Sequence, residues 1–168
     1  MAREKIPFQS KTRLPVVVVE IGWSQAEEDE LTRHGVPLPP EGERRSLPMD
    51  ALVDSGSHRS FIPEEIAVRL RLARVGEGPV TQSLGGRIVV PFYAARLTLV
   101  PRQGIKWQQS FGLAPTIQVG VLPSNGDRTR VLPMPIIGRD VLDTCVFRYN
   151  GPGQVIEFEP QVSRPKKK

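Results

Sequence analysis

Proline and glycine recur along the whole chain, 17 and 15 times in 168 residues, rather than gathering in one linker. Proline removes a backbone donor and clashes inside a helix, and glycine weakens helix interiors. Their spread therefore disfavours long helices and leaves many short strands joined by turns. The length fits one domain with enough chain to bury a core without staples. A hydrophobic content of 39% is ordinary for such a domain. The expected class is all-β, or β-rich with one or two short helices.

The net charge is +5, part of it in Arg164-Pro165-Lys166-Lys167-Lys168. Residues 160–168 read as a basic, disordered tail. No basic stripe interleaved with aromatic residues occurs, so no specific nucleic acid is expected as partner. Cys145 is the single cysteine, which excludes an intrachain disulfide and points to a reducing compartment, hence the cytoplasm. Its neighbours Val146 and Phe147 suggest a buried strand position more than a nucleophile. His34 and His58 show no ligand spacing, so neither a metal nor a cofactor is expected. The apolar run Val16–Val19 is too short for a bilayer, and Met1-Ala2-Arg3-Glu4-Lys5 leads into no signal-peptide core. No membrane partner is expected.

Residues 1–13 read as an extended arm before a folded region over 14–159. Leu14–Ile21 is β-branched and apolar, a strand. Residues 24–46 form a polar excursion, with an acidic helical turn near Gln25–Leu31. Met49–Val53 returns as a strand, and Pro63-Glu64-Glu65 opens a short helix. From Val80 to Val100 the pattern is strand, Gly85-Gly86, strand, a hairpin. Lys106–Leu113 and Ile117–Leu122 are two further strand candidates, and Asn125-Gly126-Asp127 is a turn. Pro135–Leu142 runs from a brief strand into a helix, and Val146–Tyr149 with Gln154–Glu159 closes the chain as a hairpin. No internal repeat is present, which excludes two homologous lobes.

The segment with chemical promise is Asp54-Ser55-Gly56, where an apolar strand delivers a carboxylate into a turn. Glycine there lets the backbone pass close to a partner chain or substrate. Such a turn also has a plain structural reading, with Asp54 bonding nearby amides. Three segments in order carry more. Ala51-Leu52-Val53-Asp54-Ser55-Gly56-Ser57 resembles the active-site motif of retropepsins, the single-lobed retroviral-type aspartic proteases. Ser83-Leu84-Gly85-Gly86-Arg87-Ile88-Val89-Val90 resembles their glycine-rich flap. Ile136-Ile137-Gly138-Arg139-Asp140-Val141-Leu142 resembles their second signature, and cellular and bacterial members are nearer than viral ones.

The resemblance, which spans roughly residues 14–159, implies a closed-barrel acid-protease fold with one lobe per chain. It implies that Asp54 is the catalytic carboxylate, that Ser55 locks two active-site loops across a dimer, and that Gly56 offers its carbonyl to substrate. Leu84, Gly85 and Gly86 would close over a bound peptide. Ile136, Ile137 and Gly138 would line the pocket, with burial in the core as the competing reading for the isoleucines. A homodimer would supply the second Asp54, and two carboxylates about 3 Å apart share one proton because both cannot ionise. The alternatives are an inactive module of the same fold that dimerises or binds peptides, and a β-rich nucleic-acid-associated protein using the basic arm and tail. Viral members pair the arginine at the Arg139 position with an acid after the active-site motif. Here that stretch reads Ser57-His58-Arg59, so Arg139 is expected to find another partner or stay exposed.

Overall fold

Val16, Val17, Val19 and Ile21 are essentially unexposed, so strand β2 (Val16–Gly22) is covered on both faces. The computed structural model describes residues 4–7, 15–38, 46–82, 86–100, 111–122, 134–153 and 155–160. Among these, the remaining strands are β1 (Glu4–Pro7), β3 (Ser46–Val53), β4 (Phe61–Pro63), β5 (Arg74–Gln82), β6 (Gly86–Leu99), β7 (Phe111–Leu122), β8 (Ile136–Ile137), β9 (Cys145–Asn150) and β10 (Val155–Pro160). The helices are α1 (Gln25–Arg33), α2 (Glu64–Leu70) and α3 (Arg139–Leu142). The described residues are thus β-rich with three helices, against the one or two expected.

Seven strands form a mixed sheet in the order β2-β3-β8-β4-β7-β6-β5, and β2 also pairs with β6. The ladder therefore returns on itself, with β5 outside the ring. Two pairings are parallel, β3 with β8 and β4 with β7. β6 pairs β5 through Gly86–Tyr93, whereas Phe92–Leu99 pairs β7 and Arg96–Leu99 pairs β2 as well. β5 and the first part of β6 thus project as a two-stranded ribbon. Alternation divides β6 by face. Ala95, Leu97 and Leu99 enter the main core, while Val90 and Phe92 join Phe61 in a second apolar cluster.

Where two strands were expected over 106–122, β7 is described as one strand from Phe111 to Leu122. Pro115 lies inside it and has no N–H for the ladder. The register moves from Leu97 opposite Ala114 to Ala95 opposite Ile117, so the strand carries a bulge there instead of ending. The expected turn at Asn125-Gly126-Asp127 lies outside the described residues.

The polar excursion holds a capped helix. Ser24 and Glu27 form a reciprocal capping box, and Glu27 Oε1 accepts the Ala73 N–H at 3.0 Å. Glu28 is buried and meets Arg96 at 3.3 Å. The acidic run is accordingly anchored to the sheet, at Arg96 of β6 and just before β5. α2 begins after Pro63 as N-cap and ends at Arg71 in the left-handed region, and Trp23 Nε1 donates to the Leu70 carbonyl at 3.0 Å. Part of the expected arm is β1, which pairs β10 antiparallel, giving a three-stranded sheet β1-β10-β9. Ile156 and Phe158 of β10 are unexposed and belong to the main core. Residues 161–168 lie outside the described residues. No helix among those described is long and apolar enough to cross a membrane.

Candidate active site

Asp54 follows the last residue of β3, and the parallel register Leu52–Ile136 and Val53–Ile137 sets what lies beside it. Its N–H donates to the Ile137 carbonyl at 3.0 Å, while Leu52 and Val53 donate to the carbonyls of Pro135 and Pro15, both at 2.8 Å. The chain then turns. The Gly56 N–H donates to Asp54 Oδ1 at 2.9 Å, and the Ser57 N–H donates to the Asp54 carbonyl at 3.1 Å. A Cβ on Gly56 would stand 3.1 Å from that Oδ1, so glycine gives the carboxylate room against the turn. Asp54 is half-buried, and no cation among the described residues pairs with it.

The turn is laced to the segment after β8. The Arg139 N–H donates to the Ser57 carbonyl at 2.9 Å and the Asp140 N–H to the His58 carbonyl at 3.3 Å. Ser60 is 1% exposed and uses its hydroxyl in both directions. It accepts the Gly138 N–H at 3.0 Å and donates to Asp140 Oδ1 at 2.7 Å. The Ser60 N–H reaches Asp140 Oδ2 at 2.9 Å, so both oxygens of this carboxylate are committed to one residue. A Cβ on Gly138 would lie 2.4 Å from the Arg59 carbonyl oxygen. Only glycine fits between the two segments.

Ser55 and Gly56 are exposed at the turn, and Gly86 opens β6 opposite Gln82. Leu84 and Gly85 lie outside the described residues. The two isoleucines separate as strand alternation requires. Ile137 is 1% exposed in the main core, whereas Ile136 packs on the second apolar cluster with Val80 and Ile88 of the ribbon. Ile137 is therefore a core residue, not a pocket wall. Arg139 finds another partner, its guanidinium meeting the imidazole ring of His58 at Nδ1.

Sequence reasoning missed Ser60 and Asp140, whose pairing spans 80 residues, and the placing of Arg59 over the Phe92 ring at 4.7 Å. The available signal was a serine and an aspartate flanking each half of the motif, polar residues inside otherwise apolar runs. Ser55, Arg139, Leu142, Asp143, Cys145 and Phe147 line an open concavity of about 510 Å³. Cys145 is buried there, and desolvation followed by the nearby Asp143 charge pushes its thiol up to about 11. That disfavours the thiolate a nucleophile needs. Among the described residues no group of three His, Cys, Asp or Glu could hold a metal ion.

No protein-family model and no curated protein matches this chain.

Proposed function

We propose that this protein is an aspartic endopeptidase whose active site is completed by a second copy of the chain, Asp54 from each standing across a twofold axis. The observation that carries this is the state of Asp54: a half-buried carboxylate at a strand end, fixed by the Gly56 amide and without a cation partner among the described residues. The other carboxylate beside this turn, Asp140, has both oxygens bonded to Ser60. Because Asp140 is so committed, it is not free to serve as the second acid on this loop. A single lobe then draws its second free carboxylate from a partner.

In the dimer, the ionised member of the pair takes a proton from the water between them, and the protonated member donates to the scissile carbonyl. The pair titrates in two coupled steps, which gives a bell-shaped rate profile. A peptide lies extended as an added strand under the β5–β6 ribbon, and the apolar cluster of Phe61, Val90, Phe92 and Ile136 excludes water from that side. A buried lone thiol fits a reducing compartment such as the cytoplasm.

The test is a peptide-library digestion between about pH 3 and 8, wild type against Asp54→Asn, with the association state measured by sedimentation. Cleavage that needs Asp54 and rises with the dimer fraction is expected. A confirmed dimer with no Asp54-dependent cleavage at any pH refutes the enzyme and leaves a peptide-binding module.

A further inference from the structure

The loop that carries Asp54 also carries a cation with an unusual setting. Arg59 is exposed, yet its guanidinium carbon lies 4.7 Å from the centroid of the Phe92 ring. Phe92 is 8% exposed and has little freedom. A Cβ on Gly78 would meet the ring at 3.1 Å and one on Gly120 at 3.5 Å, so two glycines of neighbouring strands frame it. The backbone of Arg59 is fixed too, since Gly138 packs directly on it and Ser57 Oγ donates to its carbonyl at 2.6 Å. Among the described residues the guanidinium forms no ion pair. Contact with a ring face leaves the N–H edge of a guanidinium open, and that edge matches a carboxylate in a forked geometry.

The platform under Arg59 belongs to the apolar cluster of Phe61, Val90 and Phe92, against which Val80, Ile88 and Ile136 pack. Ile136 stands beside Leu52 in the register that positions Asp54. Ile136 thus joins this apolar cluster to the β3–β8 register that ends at Asp54, and Arg59 lies over the Phe92 ring of the same cluster. Arg139, a cation of the segment after β8, is engaged with His58.

We propose that Arg59 selects acidic side chains, so that the peptides taken by this site carry Asp or Glu near an otherwise apolar contact region. The inference rests on reading the Asp54 site as one that binds extended peptides. The preference comes from attraction to the Arg59 edge, and neutral or basic residues at that position leave the charge unmatched or repelled.

The test uses full-length protein carrying Asp54→Asn, which binds without turnover. Fluorescein-labelled octapeptides, with one Glu, Gln or Lys moved through each position, are titrated by anisotropy. The same set is measured on Asp54→Asn combined with Arg59→Gln or Arg59→Glu. At one position the Glu peptide is expected to bind about fivefold tighter than its Lys counterpart, the scale of a partly exposed ion pair. The ratio should fall to about one with Arg59→Gln and invert with Arg59→Glu. Thermal unfolding checks that these surface variants stay folded. A Glu-to-Lys ratio that Arg59→Glu leaves unchanged overturns the inference, as does failure of every octapeptide to bind. Wild-type digestion separates the two claims. Asp54-dependent cleavage with no Arg59-dependent preference retains the protease and rejects the selectivity, whereas Arg59-dependent binding without cleavage does the reverse.

Discussion

Replacing Gly138 by alanine adds one methyl group where two backbone segments touch. The added Cβ would lie 2.4 Å from the Arg59 carbonyl oxygen, 2.5 Å from its carbonyl carbon and 3.0 Å from its nitrogen. Gly138 has φ −95° and ψ −176°, extended backbone open to any residue, so the obstacle is space and not conformation. Unstrained carbon contacts need about 3.5 Å, so the segments must part by about 1 Å. That parting works against the hydrogen bonds from Gly138 to Ser60 at 3.0 Å and from Arg139 to Ser57 at 2.9 Å. Overpacking alone costs about 1–3 kcal/mol. Weakening these bonds adds about 1 kcal/mol. With a total of about 3 kcal/mol, Tm is expected to fall by about 6–12 °C for a chain of this size. Because the Asp54 turn moves with Arg59, any Asp54-dependent cleavage should fall about 100-fold. Differential scanning calorimetry and peptide turnover read the two effects. Gly112→Ala is the control, since nothing stands within 4 Å of a Cβ there. A Tm within about 1 °C of wild type for Gly138→Ala, with turnover unchanged, would refute the close-contact reasoning.

Asp140→Ala removes both acceptors of a Ser60 that is 1% exposed, and unfolding in urea should show a loss of about 1–3 kcal/mol from the orphaned donors. Equal stability would mean that water replaces the carboxylate fully. For Cys145, raised from 9.0 to about 11, the thiolate fraction at pH 8 is lower by about 100-fold than in the unfolded chain, and maleimide labelling should slow at least that much. Since the folded-state value is the higher one, stability is unaffected below pH 9.0 and is lost as pH rises from there toward about 11, by about 1.4 kcal/mol per unit. Cys145→Ser should abolish that part of the slope; an identical alkaline profile for the two proteins would count against it.

Much of the architecture was legible because it is local. The β-branched run ending at Ile21, the Pro63-Glu64-Glu65 helix start and the Asn150–Gly153 turn each declare themselves within a few residues, and each appears where expected. The Pro115 bulge was not legible, because a proline reads as a strand end until the partner strand shows that the ladder continues. Nor could the pattern tell Ile136 from Ile137, since period-two alternation gives opposite faces but not which face is the core. At the site, Asp54 and Gly56 announced the turn. Ser60, Asp140 and the contact of Gly138 with Arg59 depend on chain segments about 80 residues apart, and no local preference encodes them.

β6 carries a mechanical consequence of its double role. Its later half, from Phe92 to Leu99, is clamped on the β7 side throughout and on the β2 side near its end, whereas Gly86–Pro91 is bonded among the described strands only to β5. The ribbon is a cantilever built into the mixed sheet, with its fixed end near the framed Phe92 ring. Bending it displaces Val80, Ile88 and Val90 together, because they share one face, and breaks no bond of the closed ring. Bending of the ribbon would therefore fall on two strands, while the pairings of β6 with β7 and β2 remain in place.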